Sequence, residues 1–285
     1  MAGGDRAAGR ARLRRLAVHV GAQKTGSTAL HQYLQRNRER LAPVLEFLTP
    51  ASRDLMAPLG QGCLRWSLDP SPAHERALRQ AIRRAGAHFA ADDPRPALLS
   101  HENLAGAMPG CGHERGLYPR LPQIVGMLRE ELSGLDLEVV LTTRRMAAWK
   151  RSVWGQAVRS DAYRGSLDDF LAETAAITGW DDLVARLAAA LGPRLTVLPI
   201  EDEADPARPG LRLLRRLGVP DDILASLRPL DGPGNPALSP AALEFIRALN
   251  GADLPAPARR RVVELVAARQ SLFAASTPPA GDPAA

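Results

Sequence analysis

The residues best suited to chemistry in this 285-residue chain are a short string of glycine, hydroxyl and lysine residues: Lys24, Thr25, Gly26, Ser27 and Thr28. The string follows the apolar run Leu16–Val20 and opens a helical pattern, which predicts a turn between a buried strand and a helix. The first amides of a helix lack intrahelical partners and lie at the positive end of its dipole. We expect these amides, the three hydroxyls and the Lys24 ammonium to bind a phosphate-like anion.

The charge composition supports an anionic partner. The chain carries 37 basic and 31 acidic residues, a formal net charge of +6, and has a sequence pI near 10.1. Only two basic residues are lysines, Lys24 and Lys150; all others are arginines. Because the chain otherwise uses arginine, Lys24 indicates a position that requires a compact ammonium in place of a planar guanidinium. Lys150 is interpreted as incidental.

A second candidate for anion binding follows the strand predicted at Leu137–Thr142. Arg144 stands at its carboxyl end, and Ser152 lies eight residues later on the helix predicted at Met146–Ser160. A guanidinium binds phosphate through two hydrogen bonds, and a hydroxyl adds another donor. If the helix folds back over the strand end, both groups reach one phosphate. Arg145 is an alternative to Arg144, because neighbouring residues of an extended segment point to opposite sides.

Two candidate general bases follow the strand predicted at Ala97–Ser100. His101 and Glu102 are adjacent, so we expect only one of them to enter a cleft. A histidine has the more suitable unperturbed pKa for a base near neutrality, and the residues alone leave both open. Among the other histidines, His19 is predicted to be a hydrogen-bonded core residue, whereas His31, His74 and His88 are predicted to be solvated.

Short apolar runs alternate with helical patterns, which predicts one α/β domain with a parallel sheet covered by helices on both faces. A fourth strand is predicted at Leu195–Ile200. The helices not yet mentioned are predicted at Thr25–Leu41, Ala73–Ala91, Pro119–Leu132, Leu167–Thr178, Trp180–Leu191, Leu211–Leu217, Pro240–Asn250 and Pro257–Ala275. The last three make the final third of the chain helical, as a C-terminal extension, and we expect Trp149, Trp154 and Trp180 to lie mostly in the core.

The ends of the chain are predicted to lie outside the domain, which spans residues 16–275. Residues 1–15 are expected to be a disordered basic arm without a signal peptide, and residues 276–285 a disordered tail. No apolar run approaches the roughly 18 residues of a membrane span, so we expect no integral membrane segment. We expect a cytoplasmic location. No spacing of histidine, cysteine or acidic residues predicts a metal site.

The string HVGAQKTGSTAL resembles the 5′-phosphosulfate-binding loop of sulfotransferases that use 3′-phosphoadenosine 5′-phosphosulfate (PAPS), in the form carried by bacterial sulfotransferase-domain proteins. The arginine–serine pair Arg144 and Ser152 is similar to that family's 3′-phosphate-binding motif. The tetrad beginning at Ser100 is similar to a Ser-Ser-Glu strand end in bacterial members, which favours Glu102 as the base. Cytosolic small-molecule enzymes instead carry a catalytic histidine there, which keeps His101 in consideration.

The resemblance implies a P-loop NTPase-like sulfotransferase fold and sulfuryl transfer from PAPS to a hydroxyl, without a metal. Lys24 would then stabilise the bridging oxygen as the phosphate leaves. The acceptor is expected to be a carbohydrate, a glycolipid or a small metabolite, and no nucleic-acid partner is expected.

Three alternative functions compete with sulfuryl transfer. Gly21 and Gly26 have the spacing of an ATP-binding P-loop, and Glu201-Asp202 after the fourth strand would then hold magnesium. Ser27, however, stands where that motif requires lysine. A basic nucleic-acid-binding protein is disfavoured, because aromatic residues make up only 4% of the chain and no recognition module is present. A catalytically inactive relative of the sulfotransferases is the remaining alternative.

Overall fold

The computed structural model describes residues 13–232 and 238–273. Within this part of the chain, strands form one parallel sheet in the order β2-β3-β1-β4-β5. The strands are β1 Arg15–Gly21, β2 Glu46–Leu48, β3 Ala97–Ser100, β4 Asp136–Thr143 and β5 Leu195–Pro199. The central strand β1 lies between β3 and β4, so the segments that follow these three strands meet at one edge of the sheet.

Helices connect the strands and cover the sheet. They are α1 Ser27–Arg36, α2 Arg38–Leu41, α3 Arg53–Leu68, α4 Pro72–Gly86, α5 Leu121–Glu131, α6 Met146–Ser160, α7 Leu167–Glu173, α8 Asp181–Leu191, α9 Leu211–Arg216, α10 Asp221–Ser226, α11 Pro240–Asn250 and α12 Ala256–Ala268. Short 3-10 helices include Glu102–Ala105 after β3 and Ile200–Asp202 after β5.

The side chains of β1 alternate between two cores. Leu16, Val18 and Val20 pack on one face with α3, α4, α5, α6 and α8, whereas Ala17 packs on the other with α1 and α9. Because both faces are covered, the strand is buried along almost its whole length and is nearly all apolar. The predicted α/β class, with a parallel sheet and helices on both faces, is confirmed.

Some observed elements were predicted with the correct limits, whereas others were not predicted. The prediction is correct for β3, α6 and α11, but it omitted β2, α3 and α10. Helix α3 contains Pro58, Gly60 and Gly62, residues that weaken a helical pattern and disguise this one. Packing on α4 and on the segment after β3 stabilises the helix in spite of them.

The long helix predicted at Thr25–Leu41 starts later and is interrupted. It begins at Ser27 and breaks at Asn37, whose side-chain amide donates to the carbonyls of Tyr33 and Arg228 and whose side-chain oxygen accepts from the Arg228 amide. Asn37 thus links the end of α1 to a segment nearly two hundred residues away in the chain, a contact that local sequence does not reveal.

The last two residues of the basic arm that was predicted to be disordered, Arg14 and Arg15, belong to the folded domain. Arg15 begins β1, and the buried Arg14 guanidinium binds Glu46 at 2.8 Å and Asp93 at 3.4 Å. The prediction is therefore wrong for these two residues, whose charges pair with acids brought close by the sheet. Residues 1–12, and the tail at 276–285, lie outside the described residues.

The C-terminal helices pack against α6. Asn250, at the end of α11, donates to the carbonyls of Val158 and Tyr163, and Arg259 of α12 also donates to Val158. Helix α12 ends at Ala268, earlier than predicted, and a 3-10 turn at Gln270–Phe273 follows it. In the described ranges, none of the helices combines the length and apolarity that a membrane crossing requires.

Candidate functional site

Four strand ends converge around the turn that follows β1. The Gln23 side-chain amide donates to the Gly106 carbonyl after β3 at 2.9 Å, and the Arg144 guanidinium after β4 donates to the Lys24 carbonyl at 3.3 Å. Gly26 lies against Ile200 after β5. The residues singled out after β1, β3 and β4 therefore share the carboxyl edge of the sheet, where parallel α/β folds bind ligands.

The backbone of the turn is held in an uncommon conformation. Lys24 has φ 69° and Gly26 has φ 91°, both in the left-handed region, and the Thr25 amide closes a turn on the Ala22 carbonyl. For a residue with a side chain, this conformation costs on the order of 1 kcal/mol. Backbone that alternates in this way turns successive amides to one side and forms a concave site for an anion.

The start of α1 is open to such an anion. Gly26 is the N-cap residue, and no side chain caps the helix. Its first turn contains no acidic residue. The amides of Ser27 and Thr28 therefore keep the unpaired donors and the positive dipole end expected from the sequence.

The three hydroxyls of the loop have different surroundings. Thr25 is buried and its hydroxyl donates to the Ala22 carbonyl at 2.6 Å, so the prediction that it supplies a donor to the anion is wrong. Thr28 is exposed. Ser27 turns its hydroxyl inward against Gly21 and His19, where the described residues provide it with no hydrogen-bond partner. A Cβ at Gly21 would overlap the Ser27 hydroxyl and crowd the His19 ring, so a larger residue here would require those side chains to move.

Positive charge accumulates around Lys24. Burial lowers the pKa of its ammonium, and the nearby charges of Arg159 and Arg144 lower that pKa further. Among the described residues, no carboxylate forms an ion pair with any of these three cations. An uncompensated cluster of like charges favours binding of an anion that carries more than one negative charge.

Arg159 was missed by the sequence reasoning. It lies seven residues after Ser152, two turns along α6, so the two side chains share a helix face. That spacing was the available signal, but arginine is so frequent in this chain that spacing alone could not distinguish it. Ser152 is half-buried, and no hydrogen bond joins it to Arg144 within the described chain.

The two candidate arginines after β4 differ in their contacts. The Arg144 side chain reaches the Lys24 turn, whereas the Arg145 amide donates to Glu201 at 2.8 Å at the start of α6. The structure therefore brings Arg144 and Lys24 together at this edge. The Arg145 side chain is exposed.

Two tryptophans form hydrogen bonds to the segments that carry Lys24 and Arg144. The Trp149 indole donates to the Gln23 carbonyl at 2.9 Å, and the Trp180 indole donates to the Arg144 carbonyl at 2.7 Å. The two rings pack edge to face with centroids 5.0 Å apart. Each ring thus contacts one of the two candidate anion-binding segments, and the rings contact each other.

The two candidate bases after β3 differ in access. His101 is 7% exposed, its ring packs against Gly60 of α3, and its Nδ1 accepts from the Asn103 amide at 3.1 Å. Burial lowers the pKa of His101. The Glu102 side chain is 34% exposed, although its Oε2 atom is buried without a hydrogen-bond partner among the described residues. Glu102 is therefore the residue of the pair with access to solvent.

Histidines lie beside Glu102 in a buried hydrogen-bonded chain. His19 contacts Thr142 through Nε2 at 2.6 Å and Ser100 through Nδ1 at 2.7 Å. His31 contacts the same Ser100 hydroxyl through Nε2 at 2.8 Å. The prediction of a hydrogen-bonded core position for His19 is confirmed. The prediction of a solvated His31 is wrong, because α1 packs this residue onto the ends of β1 and β3.

The acids considered as magnesium ligands have other partners. Glu201 accepts from the Arg145 amide, and Asp202 pairs with Arg212 at 2.8 Å. In residues 13–232 and 238–273, no group of three or more histidine, cysteine or acidic side chains is placed to hold a metal ion. Lys150 is a core residue, because its buried ammonium donates to the Thr174 carbonyl at 2.6 Å.

No protein-family model matches the chain, and no curated protein is significantly similar to it.

Proposed function

We propose that this protein is a sulfotransferase that moves a sulfuryl group from PAPS to an acceptor hydroxyl. The observation that carries the proposal is the juxtaposition of Lys24 and Arg144 at an uncapped helix start, where the described residues supply neither cation with an acidic partner. PAPS carries a phosphosulfate at one end of its ribose and a separate phosphate on the 3′ oxygen. Two anion-binding segments on adjacent strand ends suit a ligand with two anionic groups.

The segments are assigned to the two ends of the nucleotide. The amides of Gly26, Ser27 and Thr28, together with the Lys24 ammonium, bind the 5′-phosphosulfate. Arg144 and Ser152 bind the 3′-phosphate, and Arg159 adds positive charge to the same cleft. Trp149 and Trp180 hold the two segments at a fixed separation, which preorganises the site before the nucleotide binds.

The transfer itself is an in-line displacement at sulfur. The acceptor oxygen forms a bond to sulfur while the bond between sulfur and the bridging phosphate oxygen breaks. The acceptor proton passes to the base, and the electron pair of the broken bond leaves with 3′-phosphoadenosine 5′-phosphate. Lys24 stabilises the charge that develops on the bridging oxygen.

Glu102 is assigned as the base. Its carboxylate has access to solvent, whereas His101 is enclosed by α3 and uses Nδ1 to accept from the backbone. A base must reach the proton that it removes, so access decides between the two adjacent candidates. The acceptor is assigned as a hydroxyl of a carbohydrate, a glycolipid or a small metabolite.

A nucleotide-binding experiment tests the proposal against the kinase alternative. Thermal unfolding is measured with 3′-phosphoadenosine 5′-phosphate and, separately, with magnesium and ATP. At about 100 times Kd, a ligand adds about 2.7 kcal/mol to the stability of the folded state, which raises Tm by roughly 5–10 °C in a domain of this size. We expect that rise with the 3′-phosphorylated nucleotide alone. An equal or larger rise with magnesium and ATP contradicts the proposal.

A further inference from the structure

Glu102 has one carboxylate oxygen that requires a partner. Its Oε2 atom is buried and accepts no hydrogen bond from the described residues. The described histidine nitrogens within 4 Å of this atom are Nδ1 of His101 at 3.7 Å and Nδ1 of His31 at 3.8 Å, both longer than a hydrogen bond. Because His101 Nδ1 accepts from the Asn103 amide, it carries no proton to donate. His31 is therefore the nitrogen available to the carboxylate.

The proton on His31 is linked to those of its neighbours. Burial lowers the pKa of both His19 and His31 to about 4, so each ring is neutral near pH 7 and carries one proton. The contacts run in series from Thr142 to His19, to Ser100, to His31 and on towards Glu102. A neutral imidazole has one donor nitrogen and one acceptor nitrogen, so its two contacts cannot be assigned independently.

Two directions satisfy the series and also use the Ser100 hydroxyl hydrogen within it, and they differ at Glu102. In the first, Thr142 donates to His19, His19 donates to Ser100, and Ser100 donates to Nε2 of His31, which leaves the His31 proton on Nδ1, facing the carboxylate. In the second, the donor and the acceptor of every hydrogen bond are exchanged. Nδ1 of His31 then carries no proton, and its lone pair faces the carboxylate. An ionised Glu102 favours the first direction, because a buried carboxylate oxygen facing a lone pair is electrostatically unfavourable.

We propose that His31 is a positioning residue for the base Glu102, with its Nδ1–H aimed at the buried carboxylate oxygen and its tautomer fixed through Ser100, His19 and Thr142. The catalytic role of His31 in this inference rests on the proposed function, whereas its tautomer and hydrogen-bond geometry do not. The parallel register supports it, because it pairs His19 of β1 directly with Ser100 of β3 and so places the middle of the series on rigid strands. The contacts of His31 lead to Ser100 and Glu102 at the end of β3, so we expect its role to be separate from nucleotide binding at the β1 turn.

The tautomer is measured directly by the ¹⁵N chemical shifts of the histidine rings in the full chain at pH 7. We expect a protonated Nδ1 and an unprotonated Nε2 for both His31 and His19. In Glu102→Ala, the His31 shifts should move towards the other tautomer, because the charge that selects the direction is gone. A protonated Nε2 on His31 in the wild type, or unchanged shifts in Glu102→Ala, overturns the inference whether or not the protein transfers sulfuryl groups.

Two matched variants test the catalytic consequence. In His31→Asn, the side-chain amide replaces Nδ1 and keeps a donor for Glu102, whereas in His31→Gln it replaces Nε2 and keeps only the link to Ser100. We expect kcat to stay within about threefold in His31→Asn and to fall about tenfold in His31→Gln, less than the roughly 10²–10⁴-fold contribution of a general base. KM for PAPS should not change in either variant. Equal losses in both variants, or a change confined to KM, overturn the inference.

Discussion

Two neighbouring regions at the same edge of the sheet are built in opposite ways. Around the β1 turn, Lys24, Arg144 and Arg159 gather positive charge, and no acid in the described part of the chain pairs with them. Around the end of β3, His19 and His31 are neutral, buried and hydrogen bonded. The first region is suited to hold an anion supplied from outside, and the second to fix the direction of protons within the protein.

The difference teaches how one edge serves two tasks. Uncompensated cations repel each other, so the first region gains stability when an anion binds. The neutral histidines are linked to Ser100 and Thr142 by hydrogen bonds within the protein, so the second region can orient a carboxylate before any ligand binds. The predictions below test whether each region performs its own task.

The largest effect is expected at the cationic region. Lys24→Ala should lower the rate of sulfuryl transfer by about 10³–10⁵-fold, the range found when a cation is removed from the developing charge of a comparable group transfer. The measurement is turnover with PAPS and an acceptor, accompanied by Tm to show that the variant folds. Lys24→Arg serves as the control that keeps the charge but not the compact ammonium. Near-normal turnover of Lys24→Ala would remove this role from Lys24.

The base is the next test. Glu102→Gln should lower kcat by about 10²–10⁴-fold, because the amide cannot accept the acceptor proton, while the affinity for 3′-phosphoadenosine 5′-phosphate stays unchanged. His101→Ala is the adjacent comparison and should cost much less. If His101→Ala loses as much rate as Glu102→Gln, the assignment of the base is reversed. Two equal, small losses mean that the base is neither residue.

The neutral region should make stability depend on pH. Burial lowers the pKa of His19 from 6.5 to about 4, so its contribution is fully present above pH 6.5 and is lost as the pH falls through 4. The loss amounts to about 3 kcal/mol for this residue, and His31 acts in the same direction.

Urea unfolding between pH 7 and 4 measures this dependence. His19→Gln should flatten it, whereas His113→Gln, which changes an exposed histidine, should not. A wild-type stability that is constant across the interval would show that the buried histidines are not neutral.

The smallest effect is expected at the second anion-binding segment. Arg144→Ala should weaken binding of 3′-phosphoadenosine 5′-phosphate by about 10-fold to 100-fold, the loss of a charged hydrogen bond worth roughly 1.5–3 kcal/mol. Calorimetry measures it, and Arg145→Ala, which removes the exposed neighbour, is the matched control. If only Arg145→Ala weakens binding, the 3′-phosphate belongs to Arg145.

The local patterns of the sequence predicted much of the sheet and the loop. Apolar runs indicated four of its strands, and the glycine–hydroxyl string placed the turn after β1 correctly. These features depend on residues close together in the chain, such as the burial of Leu16–Val20 on both faces. The strand β2 was missed because three residues are too few to show a clear local period. Helix α3 was missed because Pro58 and two glycines interrupt its helical pattern.

The sequence by itself indicated the parallel α/β class, the glycine–hydroxyl turn at Lys24 and the arginine after β4, since each depends on a local period or on residue type. Only the tertiary structure decided that Arg159 joins Lys24, that His31 is buried beside Glu102, and that Thr25 is committed to its own turn. The physical reason is that burial and charge interactions act between residues that are distant in the chain. Their strength depends on which strand ends the sheet brings together.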